Sequence, residues 1–284
     1  PNHCWRGTGM LRTNDKAKII DHYDRVSPYY HSLWGEHLHH GYWIRGDESK
    51  ETAQQQLVEH LAVSAGVRPG SEILDIGCGF GASSLYLVKK YAATATGITI
   101  SPVQVQMANR AAAAAGARAT FLLMDAEDLR FDKQFDLLWS VESISHYQDI
   151  AQFFRSASHY LKSGGTFALT DWFKRENLSP AEYDELIAPI DKGMFVELQT
   201  MDDYARHLES SGLQILFRED MTSSCAKTWD LGLDIIKEKA FWALALQWGP
   251  EFLTYLKAFR AVHSALTKGA FVYGLFVARK PNPS

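Results

Sequence analysis

Glu72-Ile73-Leu74-Asp75-Ile76-Gly77-Cys78-Gly79-Phe80-Gly81 is the stretch that decides the fold of this chain. A short apolar run reads as a strand. Glycine at every second position then lets the backbone turn tightly and approach a ligand closely, where a side chain would collide. The segment Ala82 to Tyr91 has helical character, so the unit is strand, glycine turn, helix. Gly77-x-Gly79-x-x-Ala82 also satisfies the relaxed dinucleotide pattern. Two features weigh against that reading. Asp75, two positions before the first glycine, would repel a pyrophosphate and attract a cationic amino group instead. The second strand also ends in Gly97-Ile98-Thr99-Ile100-Ser101, without the acid that a nicotinamide ribose requires.

Outward from this loop the chain alternates short apolar runs with amphipathic segments, the mark of βαβ units and a parallel sheet. Strands are expected up to Ile98-Thr99, over Thr120 to Met124, Phe135 to Ser140 and Thr166 to Thr170, then Gln214 to Arg218 and Phe271 to Ala278. Ser101-Pro102 opens a helix through the alanine run to Ala115, and a further helix covers Met201 to Ser211. Asp149 is placed as the N-cap of a helix whose apolar face is Ile150, Phe153, Phe154, Ala157 and Leu161, ending at Lys162-Ser163-Gly164-Gly165. The fold class is α/β: a seven-stranded, mostly parallel sheet with helices on both faces and helical lid insertions. Four segments follow. Residues 1–68 form an N-terminal helical cover, 69–173 the ligand-binding core, 174–268 further core elements with a lid, and 269–284 the last strand.

Composition narrows the function. With 46% hydrophobic and 22% charged residues the chain is an ordinary globular protein. A net charge of −4, with no dense Lys/Arg block, argues against nucleic acid as the partner. No run approaches the roughly 18–20 apolar residues of a membrane span. Pro1 to Met10 lacks the apolar core of a signal peptide. Cys4, Cys78 and Cys225 lie far apart, so a reducing, cytoplasmic setting is expected.

Three runs carry a resemblance: Ile73 to Gly79; Gly97-Ile98-Thr99-Ile100-Ser101-Pro102-Val103-Gln104; and Trp139-Ser140-Val141-Glu142-Ser143. Together with Leu33-Trp34-Gly35-Glu36-His37-Leu38-His39-His40-Gly41-Tyr42 they resemble class I methyltransferases. The similarity is greatest to the tocopherol C-methyltransferase group and its sterol and cyclopropane-synthase-like relatives. It runs from about Tyr23 to Thr170, returns at the last strand, and fades between 174 and 268.

The resemblance implies a Rossmann-like sheet and S-adenosyl-L-methionine as cofactor. Asp75, Gly77 and Gly79 would line its methionine part, Thr99, Ile100 and Gln104 its ribose and adenine edge, and Asp125, Ala126 and Glu127 the adenine amino group. Two local readings stand beside these. Ser101-x-x-Gln104 is also a capping box, and Asp125 also suits a turn after a strand. The N-terminal region, with Tyr23, Tyr29 and Tyr30, would fold over the cofactor.

Methyl transfer from a sulfonium needs alignment and exclusion of water, and a base only where the nucleophile must lose a proton. Glu142 and His146 are four apart beyond the fourth strand. On a helical turn they would share a face, the carboxylate holding one imidazole tautomer. The alternative is that His146 hydrogen-bonds locally and Glu142 orients a backbone amide. His39, His40, Tyr42, Trp172, Trp242 and Trp248 are placed against a small acceptor. The aromatic density of Trp229, Phe241, Trp242, Trp248, Phe252, Tyr255 and Phe259 suggests an apolar pocket, although core packing is an equally ordinary use. Adjacent histidines point apart and no matching Cys/His/Asp set exists, so no metal is expected. The expected function is methyl transfer to a small, largely apolar acceptor. An N-methyltransferase for a polar amine would need carboxylate clamps, for which Arg218, Arg260 and Lys268 are the few candidates. A catalytically silent cofactor-binding protein is the third possibility.

Overall fold

The computed structural model describes residues 15–235, 237, 242 and 250–283. Cys4, Met10, Phe241 and Trp248 lie outside them.

Seven strands form one sheet in the order β3-β2-β1-β4-β5-β7-β6. These are β1 (Glu72–Ile76), β2 (Thr94–Thr99), β3 (Ala119–Leu123), β4 (Phe135–Val141), β5 (Leu161–Lys174), β6 (Gln214–Asp220) and β7 (Phe271–Arg279). Neighbours are parallel except β7, which runs antiparallel to both β5 and β6. The expected sheet is therefore the one formed.

Helices α1 (Lys16–Leu33) and α2 (Lys50–Ala65) precede the sheet, and α3 (Ala82–Tyr91), α4 (Pro102–Ala115) and α5 (Ile150–Ser158) link its strands. Helices α6 (Pro180–Glu182) and α7 (Ala188–Met194), joined by a π turn at Tyr183–Ile187, and then α8 (Met201–Ser210), lie between β5 and β6. Helices α9 (Thr222–Cys225), α10 (Lys227–Ile235) and α11 (Pro250–Thr267) lie between β6 and β7. Among the described residues no helix is long and apolar enough to cross a membrane.

The central strands are apolar on both faces because both are covered. From β1, Ile73 packs with Leu57, Leu61 and Leu87 of α2 and α3, while Leu74 and Ile76 pack with Phe153 and Phe154 of α5. Each of those fully buried phenylalanines contributes about 1.5–3 kcal/mol by leaving water. Asp149 does cap α5, accepting from the Gln152 amide at 2.8 Å.

One boundary differs from expectation. Helix α5 stops at Ser158, and Leu161 with Lys162 to Gly165 belongs to β5. Leu161 suits the apolar stripe of a helix and an inward strand position equally. Its pairing with Phe135 of β4 decides for the strand. At the other end β5 runs on to Lys174 because β7 pairs with it from Thr166 to Lys174.

Candidate active site

Strand order reverses between β1 and β4, the place where α/β sheets open a crevice at their carboxyl ends. A cavity of about 260 Å³ lies there. The loops after β1, β2, β3 and β4 give it a polar side, with Asp75, Gly77, Gly79, Thr99, Ile100, Gln104 and Asp125 to Glu127 in its wall. Helices α1, α10 and α11 give it an aromatic side, through Tyr23, Tyr30, Trp229, Tyr255 and Phe259.

Gly77 has a positive φ of +76°, and a Cβ there would lie 2.3 Å from the Ser143 Cβ. The amides of Gly77 and Cys78 both donate to the Ile98 carbonyl at 2.9 Å, which ties the turn to β2. Asp75 is buried and accepts from the Ser84 hydroxyl at 2.6 Å. Burial pushes its carboxyl up to about 7, against the pull of that hydrogen bond.

Gln104 resolves one of the two local readings. Its amide does donate to Ser101 Oγ at 3.1 Å, so Ser101 caps α4. Its side chain does not close a capping box. Gln104 Oε1 instead accepts from the Thr99 hydroxyl at 2.7 Å, in the cavity wall. Asp125 takes the turn role, and it also pairs across to α1. One carboxylate oxygen accepts from the Glu127 amide at 2.9 Å, and the other pairs with Lys16 of α1 at 2.6 Å. Lys16 also meets Glu127 at 2.7 Å, so α1 is fastened over this end of the cavity.

Glu142 and His146 are both in the cavity wall, but they are not hydrogen-bonded to each other. Glu142 leaves β4 with φ +53°, and the following turn, Ile144–His146, is a 3₁₀ turn, so the shared α-helical face does not form. The imidazole beside Glu142 is His40. Glu142 Oε1 accepts from the His40 amide (2.7 Å), His40 Nδ1 (3.0 Å) and the Tyr273 hydroxyl (2.7 Å). Its Oε2 accepts from the Trp172 indole at 2.8 Å. Burial alone would raise this carboxyl; the hydrogen bonds from the His40 ring and the His40 amide pull it below its ordinary value.

The Trp229 indole donates to His40 Nε2 at 2.7 Å. An indole can only donate, so Nε2 carries no proton and His40 is the neutral Nδ1–H tautomer. The same logic fixes His146. Its Nδ1 lies 2.9 Å from the Phe195 carbonyl, which can only accept, so Nδ1 carries the proton. Its Nε2 is then a lone pair at the cavity, 3.0 Å from the Tyr23 hydroxyl. Burial keeps the His146 pKa below its ordinary value, so the ring is neutral at neutral pH.

The remaining candidates divide. His39 is in the wall, donating from Nδ1 to the His40 carbonyl at 2.8 Å and accepting at Nε2 from His37 at 2.9 Å. Among the described residues no group of three or more His, Cys, Asp or Glu could hold a metal ion. Tyr42 is directed away from the cavity. Its ring stacks on His60 at 4.5 Å and 10°, and it is not among the described lining residues. Trp242 is 48% exposed, beside Phe252 at 5.9 Å, and is not among the described lining residues. Trp248 lies outside the described residues.

Sequence reasoning missed Tyr273, Asp171 and the Phe195 carbonyl. Asp171 is fully buried and accepts from the Ser145 amide and hydroxyl at 2.9 Å each, pinning the turn that carries His146. A lone phenol inside the apolar run Phe271 to Ala278 was the one signal available for Tyr273.

The family described as mycolic acid cyclopropane synthetase matches residues 11–268. The chain belongs to this family. It is similar to 27-O-demethylrifamycin SV methyltransferase of Amycolatopsis mediterranei (strain S699), 33% identical over 92% of this chain and 96% of the relative. It is also similar to the chloroplastic tocopherol O-methyltransferase of Arabidopsis thaliana, 30% identical over 93% of this chain and 82% of the relative. Among solved structures, mycolic acid cyclopropane synthase CmaA1, complexed with SAH and CTAB, superposes with a TM-score of 0.83 at 22% identity. The superposition covers 93% of this chain and 98% of that one. The chain is an S-adenosylmethionine-dependent methyltransferase with the class I fold.

Proposed function

We propose that this enzyme methylates a hydroxyl group of a small, largely apolar acceptor, with His146 as the base. The observation that carries the reading is the His146 ring. Its Nδ1 proton is committed to the Phe195 carbonyl, and its Nε2 faces the cavity as an acceptor, holding the Tyr23 hydroxyl where an acceptor's hydroxyl would bind. The O-methyltransferase names of two relatives support the same choice of atom.

The polar wall fits the cofactor. The glycine turn offers backbone where a Cβ at Gly77 would already collide with Ser143, and Asp75 offers a buried carboxyl. Asp75, Gly77 and Gly79 would hold the methionine part, Thr99, Ile100 and Gln104 the ribose edge, and Asp125, Ala126 and Glu127 the adenine. S-adenosylmethionine, when bound, supplies a methyl group already activated as a leaving sulfonium. His146 Nε2 takes the acceptor's hydroxyl proton as the oxygen attacks, and the Phe195 carbonyl and the charge of Glu142 stabilise the resulting imidazolium. Glu142, ionised and held by four donors, gives the cavity a fixed negative charge beside a cationic ligand. His39, His40 and Trp172 would shape the acceptor's surroundings, and α1 excludes water.

A polar amine acceptor finds less support. Lys16 is the one Lys or Arg among the described lining residues, and it is paired with Asp125 and Glu127. Arg218 pairs with Asp202 at 2.6 Å, Lys268 with Glu185 at 2.5 Å, and Arg260 is exposed outside the wall. A cytoplasmic, reducing compartment is part of the same reading, from the scattered cysteines. The test is turnover with a panel of phenols, aliphatic alcohols and amino acids at saturating cofactor. Preferential methylation of an amino acid would overturn the hydroxyl assignment.

A further inference from the structure

Gly232 sits inside α10, where only proline is a poorer helix former than glycine. A side chain has no room there. A Cβ at Gly232 would lie 2.5 Å from Cζ and 2.8 Å from Cε1 of Phe259, which comes from α11. Both residues line the cavity on its aromatic side. The Phe259 ring rests in the notch that the glycine leaves. Trp229 and Tyr255 flank it, with centroids 4.9 Å and 6.1 Å away.

Helix α11 is not free to back away from a larger residue. At Gly193 of α7 a Cβ would come 2.4 Å from the Ala258 Cβ and 2.8 Å from the Thr254 carbonyl oxygen, so the two helices already touch at backbone distance. A methyl group at position 232 therefore displaces the ring, not the helix. With its flanks filled by Trp229 and Tyr255, the ring's open direction is the cavity.

We propose that Gly232 and Phe259 form a size gate on the acceptor: the notch holds the Phe259 ring back, and its depth sets how bulky an acceptor the cavity admits. The gate rests on the reading that an apolar acceptor lies on the aromatic side. Neither residue belongs to the polar wall, so the gate discriminates among acceptors without touching the cofactor.

The test measures kcat/KM and calorimetric binding, in the presence of S-adenosylhomocysteine, for para-cresol and para-decylphenol. Gly232→Ala should weaken para-decylphenol by about tenfold, the scale of a forced overpacking. Para-cresol and S-adenosylhomocysteine should stay within about twofold, and adding Phe259→Ala should restore the long-chain phenol. Equal losses for both phenols, or no rescue by Phe259→Ala, overturn the gate while leaving the acceptor reading intact. A wild-type enzyme that binds neither phenol overturns the acceptor reading, and the gate with it. Should Gly232→Ala not fold, Phe259→Ala alone carries the test. It must raise the relative preference for para-decylphenol, and an unchanged preference overturns the gate.

Discussion

Replacing Glu142 by glutamine should destabilise the fold by about 3 kcal/mol at neutral pH. Oε1 accepts from three donors and Oε2 from one, the Trp172 indole. A glutamine that keeps its oxygen at the three-donor corner must point its NH₂ at the indole N–H. One buried, unmatched donor costs about 1–3 kcal/mol, and the three remaining bonds lose their charge assistance. The depression of the carboxyl from 4.5 to about 2 has the same sign, since the site favours the charged form.

Urea unfolding of wild type and Glu142→Gln at pH 7 measures the difference directly. Because the folded pKa lies below the unfolded one, the contribution is complete above pH 4.5 and is lost as pH falls toward 2. The gap between the two proteins should therefore be flat from neutrality down to about pH 5 and narrow below that. The backbone supplies a further check, since Glu142 has φ +53°. Glu142→Gly removes the same carboxylate as Glu142→Ala but tolerates that conformation, so it should be the more stable by about 1 kcal/mol. A Gln variant within about 1 kcal/mol of wild type would refute the account of Glu142 as a strained, four-bonded anion.

His146→Ala should lower kcat by about 10²–10⁴ while leaving cofactor affinity within about twofold. The wild-type rate should fall as pH drops through the His146 pKa, which burial holds below 6.5, and the variant should lack that limb. Asp75, pushed up to about 7, should lose its proton when a cationic amino group binds beside it. Affinity for S-adenosylmethionine should then rise with pH up to about 7 and level off, and calorimetry on Asp75→Asn should show no such dependence. His37 is lowered from 6.5 to about 3 by burial, so between those values the unfolded chain binds a proton that the folded chain does not. Stability should fall with acidification across that window, and His37→Gln should flatten the fall by about 1.4 kcal/mol per pH unit in unfolding experiments. Gly77→Ala, with its Cβ 2.3 Å from that of Ser143, should abolish cofactor binding in the same calorimeter even where the protein still folds.

The glycine turn, the helix caps at Ser101 and Asp149 and the succession of strands along the chain were open to sequence reasoning because each depends on residues close together in the chain. Asp75, Gly77 and Gly79 were legible as a strand end and a tight turn, since the turn dictates its own residue types. The pairing of Glu142 was not. Spacing of four suggested a helix and a partnership with His146. The chain instead takes a left-handed step at Glu142, which no periodicity records.

The seat of Glu142 is built from sheet register. In an antiparallel pair, residues directly opposite each other present their side chains on one face. Trp172 of β5 stands opposite Tyr273 of β7. Both donate to Glu142, the indole to Oε2 and the phenol to Oε1. A β7 running parallel to β5 would need a different register and would not set that phenol opposite that indole. The reversed last strand thus does more than complete the sheet: it delivers the tyrosine that, with Trp172 and His40, keeps a buried carboxylate charged at the carboxyl edge of β4. A sequence pattern can report that Phe271 to Ala278 is a strand. It cannot report which residue of β5 each of its side chains will face, and that pairing decides the electrostatics of the site.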